Sequence, residues 1–206
     1  MPARIVAGVV AAVWSLFVLP PQMVVWSGLG GTPAWLRWMN RAPVYDVLRD
    51  GLDDIGLTDH YLVFGVAIAP AMLLAWWAMS PALRTLGWSG RVLSVLWLVL
   101  GPLTALSYLN HDDGAPLRAI WGAELFALLT IGAWAIVAAA VAPRGRGIPV
   151  LRRVLVGATA LFGIGGTLLG GYYPHGTMIG VGVLAACLAA TMRPGREARP
   201  ELTPSA

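Results

Sequence analysis

Six apolar runs, each almost free of charge, constrain this chain more than any other feature. They occupy residues 5–27, 61–79, 91–109, 118–142, 154–172 and 176–192. A helix needs about 20 mainly apolar residues to cross a hydrocarbon core about 30 Å thick, because it rises about 1.5 Å per residue. Five runs meet or nearly meet that length, and the shorter last one has Tyr173 and Arg193 beside it to extend it. The runs are continuous rather than alternating, which disfavours a β-barrel. The expected fold is all-α: a polytopic, six-helix transmembrane bundle forming one domain over residues 1–192.

Composition agrees. The 206 residues are 58% hydrophobic and 12% charged, with a mean hydropathy of +0.72. A soluble domain carries about 25% charged residues. This composition excludes an ordinary cytosolic enzyme and a disordered regulator. The single cysteine, Cys187, excludes an internal disulfide, a CxxC redox motif and a cysteine-cluster metal site.

The net charge of +4 is carried wholly by arginine on the basic side. Its distribution follows the positive-inside tendency. With the N-terminus in the cytoplasm, Arg4, Arg84, Arg91, Arg144, Arg146, Arg152, Arg153, Arg193, Arg196 and Arg199 share that side. Only Arg37, Arg41, Arg49 and Arg118 face outward, where Asp46, Asp50, Asp53, Asp54, Asp59, Asp112 and Asp113 also lie. The expectation is therefore a multi-pass protein of a bacterial inner membrane with both termini cytoplasmic. Its partners would be membrane lipids and a membrane-protein partner, and nucleic acid is excluded. The start resembles a secretory signal peptide, but the apolar run resumes after Pro20-Pro21 without a cleavage site, so a retained first helix is expected. The proline pair should kink it.

The long outer loop, residues 28–60, begins with Gly28-Leu-Gly-Gly31, a helix breaker. Thr32-Pro33 then reads as the start of a short helix carrying Trp35 and Trp38. A second start follows at Ala42-Pro43. Beyond it Val44, Val47, Leu48, Leu52 and Ile55 recur at helical spacing opposite Asp46, Arg49, Asp50, Asp53 and Asp54. This predicts an amphipathic helix on the outer membrane surface, its acids forming a solvated face rather than a cation site. All five tyrosines (Tyr45, Tyr61, Tyr108, Tyr172, Tyr173) fall at the outer boundary, where an aromatic belt explains them.

Glu124 is the one acid well inside a run, about 9 Å below Arg118 by helix rise. An ionisable group at that depth faces the bundle interior or a wet cavity and needs a partner. Glu124, with His111, is a candidate catalytic acid/base, or alone a proton carrier. The plainer alternative is a carboxyl bonded to Thr104, Ser107 or a neighbouring backbone carbonyl. His60, His111 and His175 all fall on the outer side. Together with Asp112 they form a candidate ligand set for a divalent metal at that face, although no HExxH, HxxxH or HxH spacing is present. Tyr108-Leu-Asn-His111 and Tyr172-Tyr-Pro-His175 echo each other at two run ends.

The glycines between Gly163 and Gly171 fail the GxGxxG pattern at Leu168. Gly166-xxx-Gly170 and Gly176-xxx-Gly180 instead form small-residue faces for close helix packing. The tail, residues 193–206, is polar, proline-rich and expected to be a disordered cytoplasmic segment.

Three functions remain open. The first is an accessory or interaction subunit without a catalytic centre, favoured by the scarcity of intramembrane polar groups. The second is a membrane enzyme with an outward-facing His/Glu site acting on a lipid or exported substrate. The third is a small-solute or proton-linked transporter using Glu124. Helix order discriminates them. Glu124 facing lipid would remove both active readings, and convergence with two histidines would favour an enzyme. A pocket reaching Glu124 from both membrane faces would favour transport.

Overall fold

The computed structural model describes residues 1–143 and 148–192. The expected disordered tail, with Arg193, Arg196 and Arg199, lies outside the described residues, as do Arg144 and Arg146. Among the described residues, regular structure is helical throughout. The elements are α1 (Pro2–Gly31), α2 (Ala34–Met39), α3 (Pro43–Asp54), α4 (His60–Val66), α5 (Ala69–Arg84), α6 (Trp88–Leu109), α7 (Ala123–Val141), α8 (Val150–Gly157), α9 (Thr159–Gly170) and α10 (His175–Ala190). A 3₁₀ turn, Arg118–Ile120, precedes α7.

Four stretches are long and apolar enough to cross a membrane: Pro2–Gly31, His60–Arg84, Trp88–Leu109 and Arg118–Val141. The pair α8 and α9, bent by 48°, makes a fifth if counted as one span. At 16 residues α10 is apolar but shorter. The expected six spans thus become four to five, compatible with a multi-pass membrane protein.

Shortness suits the position of α10, which packs among α1, α5 and α9. Where helices lie in an apolar environment, small residues decide how closely backbones approach. A Cβ on Gly8 of α1 would lie 2.5 Å from the Ala186 nitrogen, and one on Gly182 of α10 would lie 2.5 Å from that of Ala12. On the other flank, a Cβ on Gly180 would overlap the Phe162 carbonyl of α9. Met178, Val181, Leu184, Ala185 and Leu188 of α10 are all buried in the core beside Trp97, Met72 and Ile131.

The prolines organise the other contacts. A proline inside a helix leaves the carbonyl four residues earlier without its donor, and in an apolar setting another group must satisfy it. Helical dihedrals run through Pro20 and Pro21, and the break expected at Gly28-Leu-Gly-Gly31 falls at Gly28, whose φ of 64° and ψ of 175° only glycine adopts easily. The Phe17 carbonyl, freed by Pro21, accepts from the Tyr45 hydroxyl at 2.9 Å. The Trp77 carbonyl, freed by Pro81, accepts from Arg4, which also lies 4.6 Å from the Trp77 ring centroid. Pro70 follows the break between α4 and α5. There the Ile68 N–H turns to the Gly65 carbonyl, so the Phe64 carbonyl is left for His175 at 3.0 Å. The Ala67 carbonyl accepts from the Trp14 indole at 2.6 Å. Each of these four carbonyls accepts from a side chain of another helix.

This places the outer-loop helix differently from expectation. α3 begins at Pro43 as predicted. However, Tyr45 is its buried residue, stacked on Phe17 at 5.3 Å between centroids, while Val44, Val47 and Ile55 are exposed. The helix is pinned to α1 as well as amphipathic.

At the opposite end, Arg152 and Arg153 of α8 hold helix C-termini. Arg152 is buried and donates to the Thr191 carbonyl (2.9 Å), the Thr191 hydroxyl (3.1 Å) and the Thr85 hydroxyl (3.0 Å). Thr191 and Thr85 cap α10 and α5. Arg153 donates to the Ala142 and Pro143 carbonyls just past α7. A cation complements the negative end of a helix dipole, so the helix ends compensate the buried Arg152 guanidinium.

Candidate functional site

Four of the five tyrosines meet at one chamber. Its volume is about 370 Å³, and its walls include Trp26, Tyr61, Tyr108, Trp121, Tyr172 and Tyr173, with Glu124 as its acid. Each wall comes from a different part of the fold. Trp26 stands near the end of α1, Tyr61 in the first turn of α4 and Tyr108 in the last turn of α6. Trp121 precedes α7, and Tyr172 and Tyr173 occupy the turn between α9 and α10.

Local structure explains each placement. Asp59 caps α4 by accepting from the Leu62 N–H at 3.0 Å, which sets Tyr61 at the helix start. Gly65 makes room for the Tyr108 ring; a Cβ there would overlap it. The Thr167 carbonyl accepts from the Gly171 N–H at 2.7 Å, closing α9 and turning the chain toward Tyr172. His175 is fully buried behind the wall. Its Nε2–H donates to Phe64, and its ring lies 6.3 Å from Tyr108 and 5.5 Å from Tyr172.

The tyrosine hydroxyls occupy one another. Tyr108 and Tyr172 share a hydrogen bond of 3.0 Å, and the buried Gln22 amide donates to Tyr172 at 3.2 Å. Trp26 stacks on Tyr61 at 5.8 Å and tilts against Tyr172 at 5.9 Å, while Tyr61 meets Tyr108 at 5.4 Å. With the tips engaged, the walls offer ring faces. Tyr173, in the turn, has its phenol pushed up by burial and then by the Glu124 charge, so it stays neutral.

Glu124 is 4% exposed. It was expected about 9 Å into a continuous helix, but residues 118–122 form a 3₁₀ turn and a left-handed glycine, Gly122 at φ +83°, and Glu124 lies in the first turn of α7. The free N–H groups of that turn favour a carboxylate. Ser107, one of the partners named from sequence, stands at the start of α7, where its oxygen accepts from the Gly122 N–H at 2.8 Å. Thr104 is buried with an unpartnered hydroxyl, and the Glu124 Oε2 also has no partner.

The histidines do not share a centre, and none of them lines the chamber. His60 approaches Asp53 at 3.0 Å. His175 is the buried strut just described. His111 alone joins a candidate metal group, with Asp59 and Asp112 at 3.3 and 3.2 Å from its Nε2. Its Nδ1–H donates to the Tyr108 carbonyl at 2.9 Å, so a neutral ring turns the Nε2 lone pair toward two carboxylates. That arrangement calls for a proton or a cation between them. Of the sequence-derived set, the structure joins His111 to Asp112, adds Asp59 and separates His60, His175 and Glu124.

Sequence reasoning missed the aromatic walls and Gln22. The echo of Tyr108 and Tyr172, each three residues before a histidine, was the signal: those two hydroxyls are the bonded pair. No family model, no curated protein and no solved structure matches the chain.

Proposed function

We propose that the protein is a six-span bacterial inner-membrane protein, with both termini cytoplasmic, that binds a small molecule in the chamber around Glu124. The observation that carries this reading is the chamber: about 370 Å³, aromatic-walled, with one buried acid whose outer oxygen lacks a partner. Ligand sites are concave, largely apolar and furnished with few convergent polar groups, at about 300–1,000 Å³. An accessory subunit needs no such space, so the chamber shifts the balance toward ligand binding. Glu124 is the only Asp, Glu, His, Lys or Arg among the lining residues, which favours binding over two-group acid–base catalysis. The lining also comes from one end of the helices, which favours binding over a path between two faces.

Six spans require α10 to cross with its flanking residues, and α8 with α9 to act as one bent span. The inside-positive orientation is supported by the grouping of Arg4, Arg84, Arg152 and Arg153 around the helix ends far from the chamber.

Accessibility tests the reading. In a Cys187→Ser background, Tyr173→Cys and Thr167→Cys are labelled in intact cells with a membrane-impermeant methanethiosulfonate. Rapid labelling of both is expected. Absence of labelling from either side of inverted and right-side-out vesicles would show a sealed volume and end the proposal.

The divalent-metal reading narrows to Asp59, His111 and Asp112, supported by the lone pair of His111 Nε2. Metal analysis of purified protein checks it. Zinc at one per chain, lost in His111→Ala and kept in His60→Ala, is the expected pattern; metal-free wild type sinks it.

A further inference from the structure

The chamber has a definite chemical preference. Its walls are aromatic faces, whose π-clouds carry partial negative charge. Its one charged side chain is an acid, and no arginine or histidine is among the lining residues. An anion would meet the Glu124 carboxylate and the negative ring faces. A neutral ligand would leave the buried Glu124 carboxylate without a counter-charge, even where it donated to the open Oε2, and buried charges are paired. A cation answers both features.

The kind of cation also follows. A primary ammonium has three N–H donors to satisfy. The hydroxyls of Tyr108 and Tyr172 are already bonded to each other, and Tyr172 also to Gln22, so the buried side-chain acceptor left open in the lining is the Glu124 Oε2, one acceptor for three donors. A methylated ammonium has no N–H donors when quaternary and gains its energy from ring faces, the arrangement known as an aromatic cage. One face of Trp121 is already covered by the Arg118 guanidinium, whose carbon lies 4.1 Å from the ring centroid and whose charge is met by Asp113 at 3.2 Å, so a ligand has only the other face of that ring.

A second cavity extends the argument along the same helix pair. Leu125 and Phe126 of α7 and Thr167 of α9 border the chamber. About one to three turns further, Leu129, Gly132 and Ile136 of α7 and Gly163 of α9 line an apolar cavity of about 140 Å³. A cationic headgroup in the chamber would have apolar space beyond it for an attached chain.

We propose that the chamber holds a methylated ammonium group, its charge against Glu124 and its methyl groups against the rings of Trp26, Tyr61, Trp121 and Tyr173. This rests on the reading of the chamber as a ligand site. The group can come from a free quaternary amine or from a phospholipid headgroup, and the apolar cavity favours the second.

Full-length protein in phosphatidylglycerol nanodiscs is titrated with choline and with its uncharged isostere 3,3-dimethyl-1-butanol by calorimetry. Choline binding at least about tenfold tighter than the isostere is expected, from cation–π and carboxylate pairing together. Glu124→Gln and Trp121→Leu should each weaken choline by about tenfold or more while eluting as folded protein. Trp26→Leu supplies the same test if either fails to fold. Repeating the titration in phosphatidylcholine nanodiscs separates the sources. Undiminished choline binding identifies a free amine, and its disappearance identifies the lipid headgroup. Equal binding of choline and the isostere would overturn the cation proposal and leave the ligand site standing. So would binding of a neutral or anionic solute with no choline binding in wild type. A chamber closed to thiol reagents would overturn both.

Discussion

Tyr45 shows how a single side chain is fixed by an event in another helix. Pro21 withholds a donor, the Phe17 carbonyl is left open, and the Tyr45 phenol fills it at 2.9 Å. Leaving that carbonyl unsatisfied costs about 1–3 kcal/mol. Tyr45→Phe should therefore lower stability by that amount while keeping the ring stack, and should speed proteolysis within residues 41–57. Thermal unfolding in detergent and limited digestion measure the two effects. Burial also raises the Tyr45 phenol above its ordinary value of 10.0. Its neutral form is favoured in the folded chain, so this contribution is complete below about pH 10 and declines as pH rises through the folded-state value. Tyr45→Phe should remove that alkaline loss. Gly65 is the second such position. Gly65→Ala drives a methyl into the Tyr108 ring, at about 1–3 kcal/mol for overpacking, and the displaced ring should change the near-UV circular dichroism.

Among the elements, α8 has the most unusual duty. Two arginines on one eight-residue helix meet the C-terminal ends of α5, α7 and α10. Arg152 is buried with no acid partner among the described residues, and its three hydrogen bonds and the helix dipoles offset its desolvation. Arg152→Met should lower stability by about 3 kcal/mol, since hydrogen bonds to a charged group contribute about 1.5–3 kcal/mol. Arg152→Lys, a charge without the planar fork, should restore part of it. The exposed Arg41→Ala should change stability by less than about 0.5 kcal/mol. Melting curves of the three variants decide the matter. α10 makes the complementary point: with glycines meeting α1 and α9 at backbone distance, its short length reflects burial among other helices.

For the whole molecule, the number of crossings decides which side each end occupies. An even number of spans puts both termini on one side, and five would separate them. With six spans and both termini inside, a C-terminal green fluorescent protein fusion should be fluorescent. An alkaline phosphatase fusion after Leu57 should be active. A dark C-terminal fusion would remove α10, or the bent α8–α9 pair, from the count.

Hydropathy is a sum over neighbouring residues, so the apolar helices, the breaks at Gly31 and Pro43, and the glycine faces of α9 and α10 could be read from the chain directly. The same apolarity hid the rest. A helix that is apolar all round has no periodic face to say which side looks inward, and so Tyr61, Tyr108 and Tyr172 looked like a belt. The start of α7 differed for a related reason: one left-handed glycine, Gly122, set it at Ala123 and put Glu124 in its first turn. Sequence by itself determined that the chain forms apolar helices of roughly membrane length with arginine gathered toward one end. The tertiary structure alone decided that four tyrosines and two tryptophans enclose a single glutamate. That closure depends on helix order and rotation, which are set by carbonyls that prolines free and distant side chains fill.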